Sequence, residues 1–464
     1  MKKAVNLPSS FRDPSGFLFI NNGFLYRQVN KSYRLDFDRL IGSGLHKRLV
    51  KEGLLVPFRE APAALAQTPD CYKIIRPEPA PFISYPYEWC FSQLKDAALL
   101  TLKIQKMALE YGMSLKDASA YNIQFISGKP ALIDTLSFEI YEEKPWVAYR
   151  QFCQHFLAPL ALAAYTDIRL AQLLRVHIDG IPLDLASRLL PVKAKLNPQL
   201  LVHIYLHAKS QQMFSARGGQ GRLGTGRGIK LRRGQLLAIL NGLESAVNKL
   251  AWNPKGTEWA GYYDKTNYSK KAFRHKAEVV GKFIKKAKPG FVWDLGANTG
   301  EFSRIASPKA GLVVSSDIDP AAVEINYRQV KENNESKILP LLMDLTNPSG
   351  GIGWGNRERM SLAQRGPADT VMALALIHHL AISNNLPFGM IAEFFADICR
   401  EFLVIEFVPK DDSQVQRLLS TREDIFPHYT QDDFEKEFGR LFTMTAKEQV
   451  KGSKRVIYLM KKES

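Results

Sequence analysis

Strand-length apolar runs and helix-period stripes alternate along this chain of 464 residues. In the C-terminal half, apolar runs of strand length end repeatedly at an acid. Residues 291–294 (FVWD) lead into Leu295-Gly-Ala-Asn-Thr-Gly300 and then into the polar–apolar segment 301–305. This predicts a buried parallel strand, a tight loop and a helix start, which sets backbone N–H donors against a ligand's polar groups. Gly296 and Gly300 can take backbone angles closed to other residues. Further runs follow at the spacing of β-α units: residues 311–317 (GLVVSSD), 338–344 (ILPLLMD), 369–379 (DTVMALALIHH) and 402–409 (FLVIEFVP). Residues 441–447 and 455–460 flank Gly452 as a closing hairpin would. Ahead of the first run, Ser269 stands at an N-cap position, and Phe273, Ala277, Val280 and Ile284 form one helix face.

The N-terminal half has a different texture. Residues 16–20 (GFLFI) and 24–29 (FLYRQV) flank Asn21-Asn22-Gly23, a strong hairpin signal. Residues 40–55 predict a helix and 71–84 a proline-bounded extended stretch. Residues 92–111 predict a second helix, with the stripe Leu94, Ala98, Leu102, Ile104 and Met107. Asp117 and Asn122 then lie in a predicted loop. After a turn at Ser127-Gly128-Lys129 and the apolar residues 131–133 comes a second acid, Asp134. A helical region, 146–212, follows. Residues 208–235 carry seven glycines, seven Lys or Arg and no acid, which predicts a basic connector or a long exposed loop. Residues 235–250 predict a linking helix. The expected division is a first domain over 1–207, a basic Gly-rich connector and linking helix over 208–250, and a second domain over 251–464.

Composition changes this picture little. The chain exceeds one typical domain, and 45% hydrophobic with 23% charged residues is ordinary for a globular protein. A net charge of +17 and a pI near 9.5 permit an anionic partner without deciding the fold. The connector reads as a solvated run or as a phosphate-binding arm for RNA or another polyanion. Only Phe214 interleaves with its cations, so nucleic acid has no specific motif in its favour. The four cysteines (Cys71, Cys90, Cys153, Cys399) show no metal-ligand spacing, which predicts buried reduced thiols and no metal site. The first ten residues lack the apolar core of a signal peptide, and the most apolar segment, 156–165, contains Pro159 and is too short to span a bilayer. A soluble cytoplasmic protein without a membrane partner is expected.

The series of apolar runs, with Asp294 beside a glycine-bearing turn and Asp317 and Asp344 at the next two run ends, resembles the class I S-adenosylmethionine-dependent methyltransferases. The resemblance covers roughly residues 255–464. It implies an α/β, Rossmann-like seven-stranded sheet with an antiparallel last strand, and S-adenosyl-L-methionine as cofactor. It further implies that Asp294 meets the cofactor's ammonium and that Gly296, Ala297, Asn298 and Gly300 form the loop beside it. Asn298 stands where many relatives have a glycine. Asp317 would accept from both ribose hydroxyls, Ile318 would pack on the adenine, and Asp344 would accept the adenine amino group with Leu345 or Met343 alongside. The competing reading makes each acid a helix cap; three at matching run ends together favour binding. In such enzymes the segment before the first helix often closes over the cofactor, which makes Tyr262, Tyr263, Asn267 and Tyr268 lid candidates, or else contacts between domains. As a long two-domain protein of this type, the chain also resembles a bacterial group named after nodulation host-specificity, a resemblance that names no substrate.

Methyl transfer from a sulfonium is a direct displacement that asks mainly for alignment and exclusion of water. His378 and His379, after the fourth run, and Glu406, at the end of the fifth, are the candidate catalytic groups on the acceptor side. No Asn/Asp-Pro-Pro-aromatic motif follows the fourth run, and no cysteine lies by the fourth or fifth run ends, which speaks against base amino groups and activated pyrimidine carbons. An O or N nucleophile on a small molecule, a glycan or a protein remains as acceptor. In the N-terminal half, Asp117, Asn122 and Asp134 resemble the base, metal-binding Asn and metal-binding Asp of protein kinases and aminoglycoside-phosphotransferase-like enzymes. Leu115-Lys116 stands where a His or Arg would precede the first Asp, and no glycine-rich phosphate loop is recognisable. The competing reading makes Asp117 and Asn122 turn caps and Asp134 a strand end. The first domain is expected to be a separate α+β fold that recognises the acceptor or a partner, either on a degenerate kinase-like scaffold or as an unrelated substrate-binding domain. Two other functions compete: a phosphotransferase regulated by a cofactor-binding domain, and a non-catalytic cofactor-binding protein that presents the basic connector to a polyanion.

Overall fold

Asn22 and Gly23 hold φ values of +49° and +81°, and this tight turn joins the first two long strands of the N-terminal half. The computed structural model describes residues 4–209, 230–254, 270–420 and 422–463. It comprises two units, Met1–Asn253 with Gly351–Arg359, and Pro254–Gly350 with Met360–Ser464. Helix Arg233–Lys249, expected as a link between domains, belongs to the first unit and packs on helix Phe91–Glu110, where Lys106 Nζ lies 2.8 Å from Glu244 Oε2. Segment Gly351–Arg359 was not foreseen as part of this unit. Its Glu358 is buried and takes a 2.9 Å hydrogen bond from Arg12.

The first unit opens with a five-stranded antiparallel sheet in the order β1-β2-β3-β5-β4. Its strands are β1 (Val5–Asn6), β2 (Gly16–Asn21), β3 (Phe24–Asn30), β4 (Phe58–Ala61) and β5 (Cys71–Pro77). Val29, Tyr33, Phe37 and Ile75 pack beneath it with Leu136. The single helix expected over 40–55 is two, Arg34–Gly42 and Leu45–Lys51. Gly44, at φ +85°, turns the chain between them, a conformation that ends one helix and starts another. After helix Phe91–Glu110 come β6 (Met113–Leu115), β7 (Ile123–Ile126), β8 (Lys129–Leu132) and β9 (Phe138–Ile140), paired β6 with β9 and β7 with β8. Short helical segments fill Tyr149–Leu206.

The second unit is built on a seven-stranded sheet. Its strands are β10 (Phe291–Leu295), β11 (Leu312–Asp317), β12 (Ile338–Leu342), β13 (Ala368–Ala373), β14 (Cys399–Phe407), β15 (Phe442–Gln449) and β16 (Val456–Lys462). They lie in the order β12-β11-β10-β13-β14-β16-β15, with β16 antiparallel to both neighbours and β10 through β14 mutually parallel. The buried strands are nearly continuous apolar runs because helices cover the sheet. Strand order reverses at β10, which lies between β11 and β13, so a crevice opens beyond the carboxyl ends of these strands. Helix Lys270–Ala287 lays Val280, Phe283 and Ile284 on the sheet, in a core with Val292, Val313, Val404 and Leu459. All four cysteines are free, and no helix among the described residues is long and apolar enough to cross a membrane.

Phe283 is 1% exposed at the centre of this helix–sheet contact. Phe283→Ala is expected to destabilise the protein by ~3–5 kcal/mol, lowering its urea midpoint. A loss below ~1 kcal/mol would remove this face from the core.

Candidate functional site

The loop after β10 is folded by its own backbone. Gly296 N–H and Ala297 N–H both donate to Ser316 O at 2.9 Å, and Gly300 N–H donates to Ala297 O. Gly296 sits at φ +74°, with Leu376 Cδ1 3.1 Å from where a β-carbon would lie. Gly300, at φ +85°, begins helix Glu301–Ala306, and a β-carbon there would meet the Asn326 side chain at 2.5 Å. Asn298, in the place that glycine often takes, has φ +51°, a region that Asn tolerates better than most residues. The loop needs these residue types.

Asp294, 2% exposed, accepts a 2.6 Å hydrogen bond from Ser303 Oγ, and burial raises its pKa to about 7. Asp317, at the end of β11, accepts from Asn298 N–H at 2.7 Å through one oxygen and from Asp319 N–H at 2.9 Å through the other. Burial raises its pKa to about 6 against these bonds. The Asp317 carboxylate, with four acceptor positions, keeps capacity for a further donor. Asp344 accepts from Thr346 N–H and Oγ, and Ile318, 57% exposed, stands beside the crevice. A cavity of about 320 Å³ gathers Asp294, Gly296, Ala297, Asn298, Asp317, Ile318, Asp344, Leu345 and His379 along its wall. Gly300 lies behind this wall and acts by shaping the loop.

Two of the three residues expected to be catalytic are placed elsewhere. Glu406 is fully buried, accepts from Ala375 N–H at 2.7 Å and pairs with Lys276 Nζ at 2.6 Å, with Arg455 at 4.0 Å. It does not face the cavity; its carboxylate anchors the loop after β13. The physical reason is the partner: a cation from another helix takes the carboxylate that the strand end would otherwise offer to a ligand. His378 is 2% exposed and off the cavity wall, with burial holding its pKa well below the ordinary value. His379 does line the cavity, and burial lowers its pKa to about 4. It is neutral near pH 7, able to accept a hydrogen bond but weak as a proton acceptor.

Lys276 was missed. Its ammonium is 3% exposed, lies 4.7 Å from the Phe302 ring centroid, and lines the same cavity as Asp294. Burial lowers its pKa, and Glu406 opposes that shift. The signal was present: Lys276 falls three residues after Phe273 and four before Val280, a lysine on the apolar face of an amphipathic helix. The lid candidates Tyr262, Tyr263, Asn267 and Tyr268, and Ser269, lie outside the described residues.

In the first unit, Asp117, Asn122 and Asp134 do come together. Asp117 accepts from Ser119 N–H at 2.8 Å and is raised by burial and then by the Asp134 charge. Asn122 reaches Ser137 Oγ at 3.4 Å. Asp134 accepts from Ser137 Oγ at 2.7 Å and Leu136 N–H at 3.1 Å and is paired with Arg27 of β3. Burial pushes its pKa up, but the Arg27 charge and these bonds outweigh burial and hold it below the ordinary value. Arg27 already supplies this carboxylate with a cation.

Across 456 residues the chain is 35% identical to the nodulation protein NoeA of Rhizobium meliloti strain 1021, covering 97% of this chain and 94% of that one. No family model matches. The N-methyltransferase NodS from Bradyrhizobium japonicum WM9, in complex with S-adenosyl-L-homocysteine, covers 44% of this chain and 95% of its own, at 10% identity and a TM-score of 0.34. The magnesium protoporphyrin IX methyltransferase ChlM from Synechocystis PCC 6803 with bound SAM covers 44% and 88%, at 18% identity and a TM-score of 0.30. Likenesses at that TM-score carry no inference about ligand or reaction.

Breaking the Lys276–Glu406 pair deprives one buried charge of its 2.6 Å partner. Glu406→Leu and Lys276→Met are each expected to destabilise by ~3–5 kcal/mol, and the double variant by much less than their sum. Additive losses in urea titrations would mean that the two groups do not act as a pair.

Proposed function

The chain belongs to the family of the nodulation protein NoeA, and we propose that its second unit is an S-adenosylmethionine-dependent methyltransferase acting on an O or N nucleophile. The observation that carries this reading is the cavity at the strand-order reversal, which holds one buried cation, Lys276, and two buried acids, Asp294 and Asp317. An amino-acid group is a zwitterion and asks for one charge of each sign; Asp294 suits its ammonium and Lys276 its carboxylate. Asp317 keeps acceptor capacity for a pair of ribose hydroxyls, and the apolar side chains of Ile318 and Leu345 suit the faces of an adenine, with Asp344 for its amino group. These residues fit the cofactor. When bound, S-adenosylmethionine supplies an activated methyl group. The chain's own part is to hold and orient the reactants and to exclude water.

On the acceptor side, Leu376, Leu380 and Leu418 give the cavity apolar walls, with His379, Ser383 and Asn384 among them. His379, neutral near pH 7, accepts a hydrogen bond and so orients a hydroxyl or amine rather than carrying its proton away. The acceptor is a small molecule, a glycan or a protein bearing such a group. The first unit is read as a kinase-like scaffold that recognises the acceptor or a partner. The β7–β8 hairpin set between Asn122 and Asp134, and the antiparallel sheet ahead of it, support this scaffold. The Arg27–Asp134 pair speaks against phosphoryl transfer there.

Calorimetric titration with S-adenosylmethionine tests the reading. Micromolar binding is expected, with Asp317→Ala weakening it by roughly 100-fold through loss of charge-assisted bonds. Absence of binding by the intact protein would sink the proposal. The pH dependence has a definite sign. Because burial raises Asp294 to about 7, the unliganded carboxyl keeps its proton in mild acid, and binding an ammonium requires releasing it. Affinity should therefore climb by roughly an order of magnitude from about pH 5.5 to about pH 8. The climb should flatten in Asp294→Asn, and an unchanged slope in that variant would assign the proton to another group.

A further inference from the structure

We propose that the first unit docks on an anionic lipid bilayer through an aliphatic patch formed by residues 189–206. In this stretch Leu189, Val192, Leu196, Val202 and Leu206 are 37, 76, 83, 49 and 52% exposed. The short helical segments that carry the first three, Leu183–Leu189 and Val192–Leu196, both pack against Leu201–Leu206. In the turn Val192–Leu196, Ala194 is buried, and Val192, Lys193, Lys195 and Leu196 point out. The next helical segment, Leu201–Leu206, buries His203 and Ile204 and leaves Val202 and Leu206, four apart, on its outer face. Tyr205 joins the two pieces: its hydroxyl donates to Pro191 O at 3.4 Å, and Lys195 Nζ lies 5.2 Å from its ring centroid.

Charge identifies the occupant. From residue 185 through 243 the sequence contains no Asp or Glu and ten Lys or Arg. Arg188, Lys193, Lys195 and Lys209 are exposed around the patch, whereas several other lysines of this unit are paired with acids, as Lys73 is with Glu60 and Lys103 with Glu52. Aliphatic side chains ringed by cations without acids match a bilayer interface, where the apolar tips enter the acyl boundary and the cations meet phosphates. Nucleic acid suits the patch less well, since it stacks on aromatic rings and the ring here, Tyr205, is half-buried under Lys195. No membrane partner was expected from the sequence; that no helix among the described residues is long and apolar enough to cross a membrane does not bear on surface docking. The inference is independent of the methyl-transfer reading.

The test is sedimentation of the full-length protein with vesicles of phosphatidylcholine alone or with about 30 mol% phosphatidylglycerol, alongside native-gel binding to a duplex RNA. Two surface variants, Val192→Ser with Leu196→Ser, and Lys193→Glu with Lys195→Glu, should keep the parent circular dichroism and melting point. The intact protein should sediment with the anionic vesicles only, and binding should fall as salt rises from about 50 to about 500 mM. The Ser pair should lower the bound fraction roughly fivefold even at low salt, a loss that charge attraction alone does not produce. No binding to anionic vesicles, or binding indifferent to the Ser pair, overturns the proposal. So does RNA binding that both variants abolish, or a dimer in solution that the Ser pair converts to monomer.

Discussion

A buried charge cannot stand alone, and the second unit is arranged around that constraint. Lys276 comes from the helix before the sheet, Glu406 from the end of β14, and Ala375 from the loop after β13. One carboxylate ties all three. Ala375 holds φ +51°, a strained conformation for a residue with a β-carbon, and the bond from its N–H to Glu406 keeps it there. The neighbouring Leu374 and Leu376 thereby form part of the cavity wall. The pair thus positions the site while its members keep each other's charge compatible with the interior.

The same residue type reaches opposite states in the two units, and the difference lies in who meets the carboxylate. Asp134 is closed off: Arg27, Ser137 and a backbone N–H take its oxygens and hold it ionised. Asp294 is buried against a single hydroxyl bond from Ser303 with Lys276 farther off, and burial wins. Asp317 lies between, with backbone donors on both oxygens and acceptor capacity left over. An acid with unspent acceptor capacity beside a cavity is available to a ligand; one whose partners are complete is a structural tie. By that measure the second unit holds the chemistry.

Much of the second unit was legible in the order of residues. Parallel strands covered on both faces must be apolar throughout, so β10, β11, β13 and β14 stand out as runs, and the acids that end β11 and follow β12 mark where the sheet meets solvent. Local turn chemistry was equally legible at Asn22-Gly23, where a left-handed pair is required. Other features were not. Gly44 divides a stretch whose helical period continues across it, because a backbone angle leaves little trace in a hydrophobic pattern. Segment Gly351–Arg359 belongs to the first unit through the contact of Glu358 with Arg12, whose positions in the chain are far apart. Nothing local announces such a pairing.

The sequence by itself determined the runs of the parallel sheet, the glycine-bearing loop and the acids that line the cavity, because each depends on residues close together in the chain. The tertiary structure alone decided which charged groups are tied to one another and which line the cavity. Glu406 and Asp134 look like site residues when read along the chain, and each proves to be neutralised, by Lys276 and by Arg27. Lys276, a lone cation on an apolar helix face, proves to stand in the cavity. Partners that close a salt bridge come from distant segments, and the balance of burial against pairing exists only once the chain has folded.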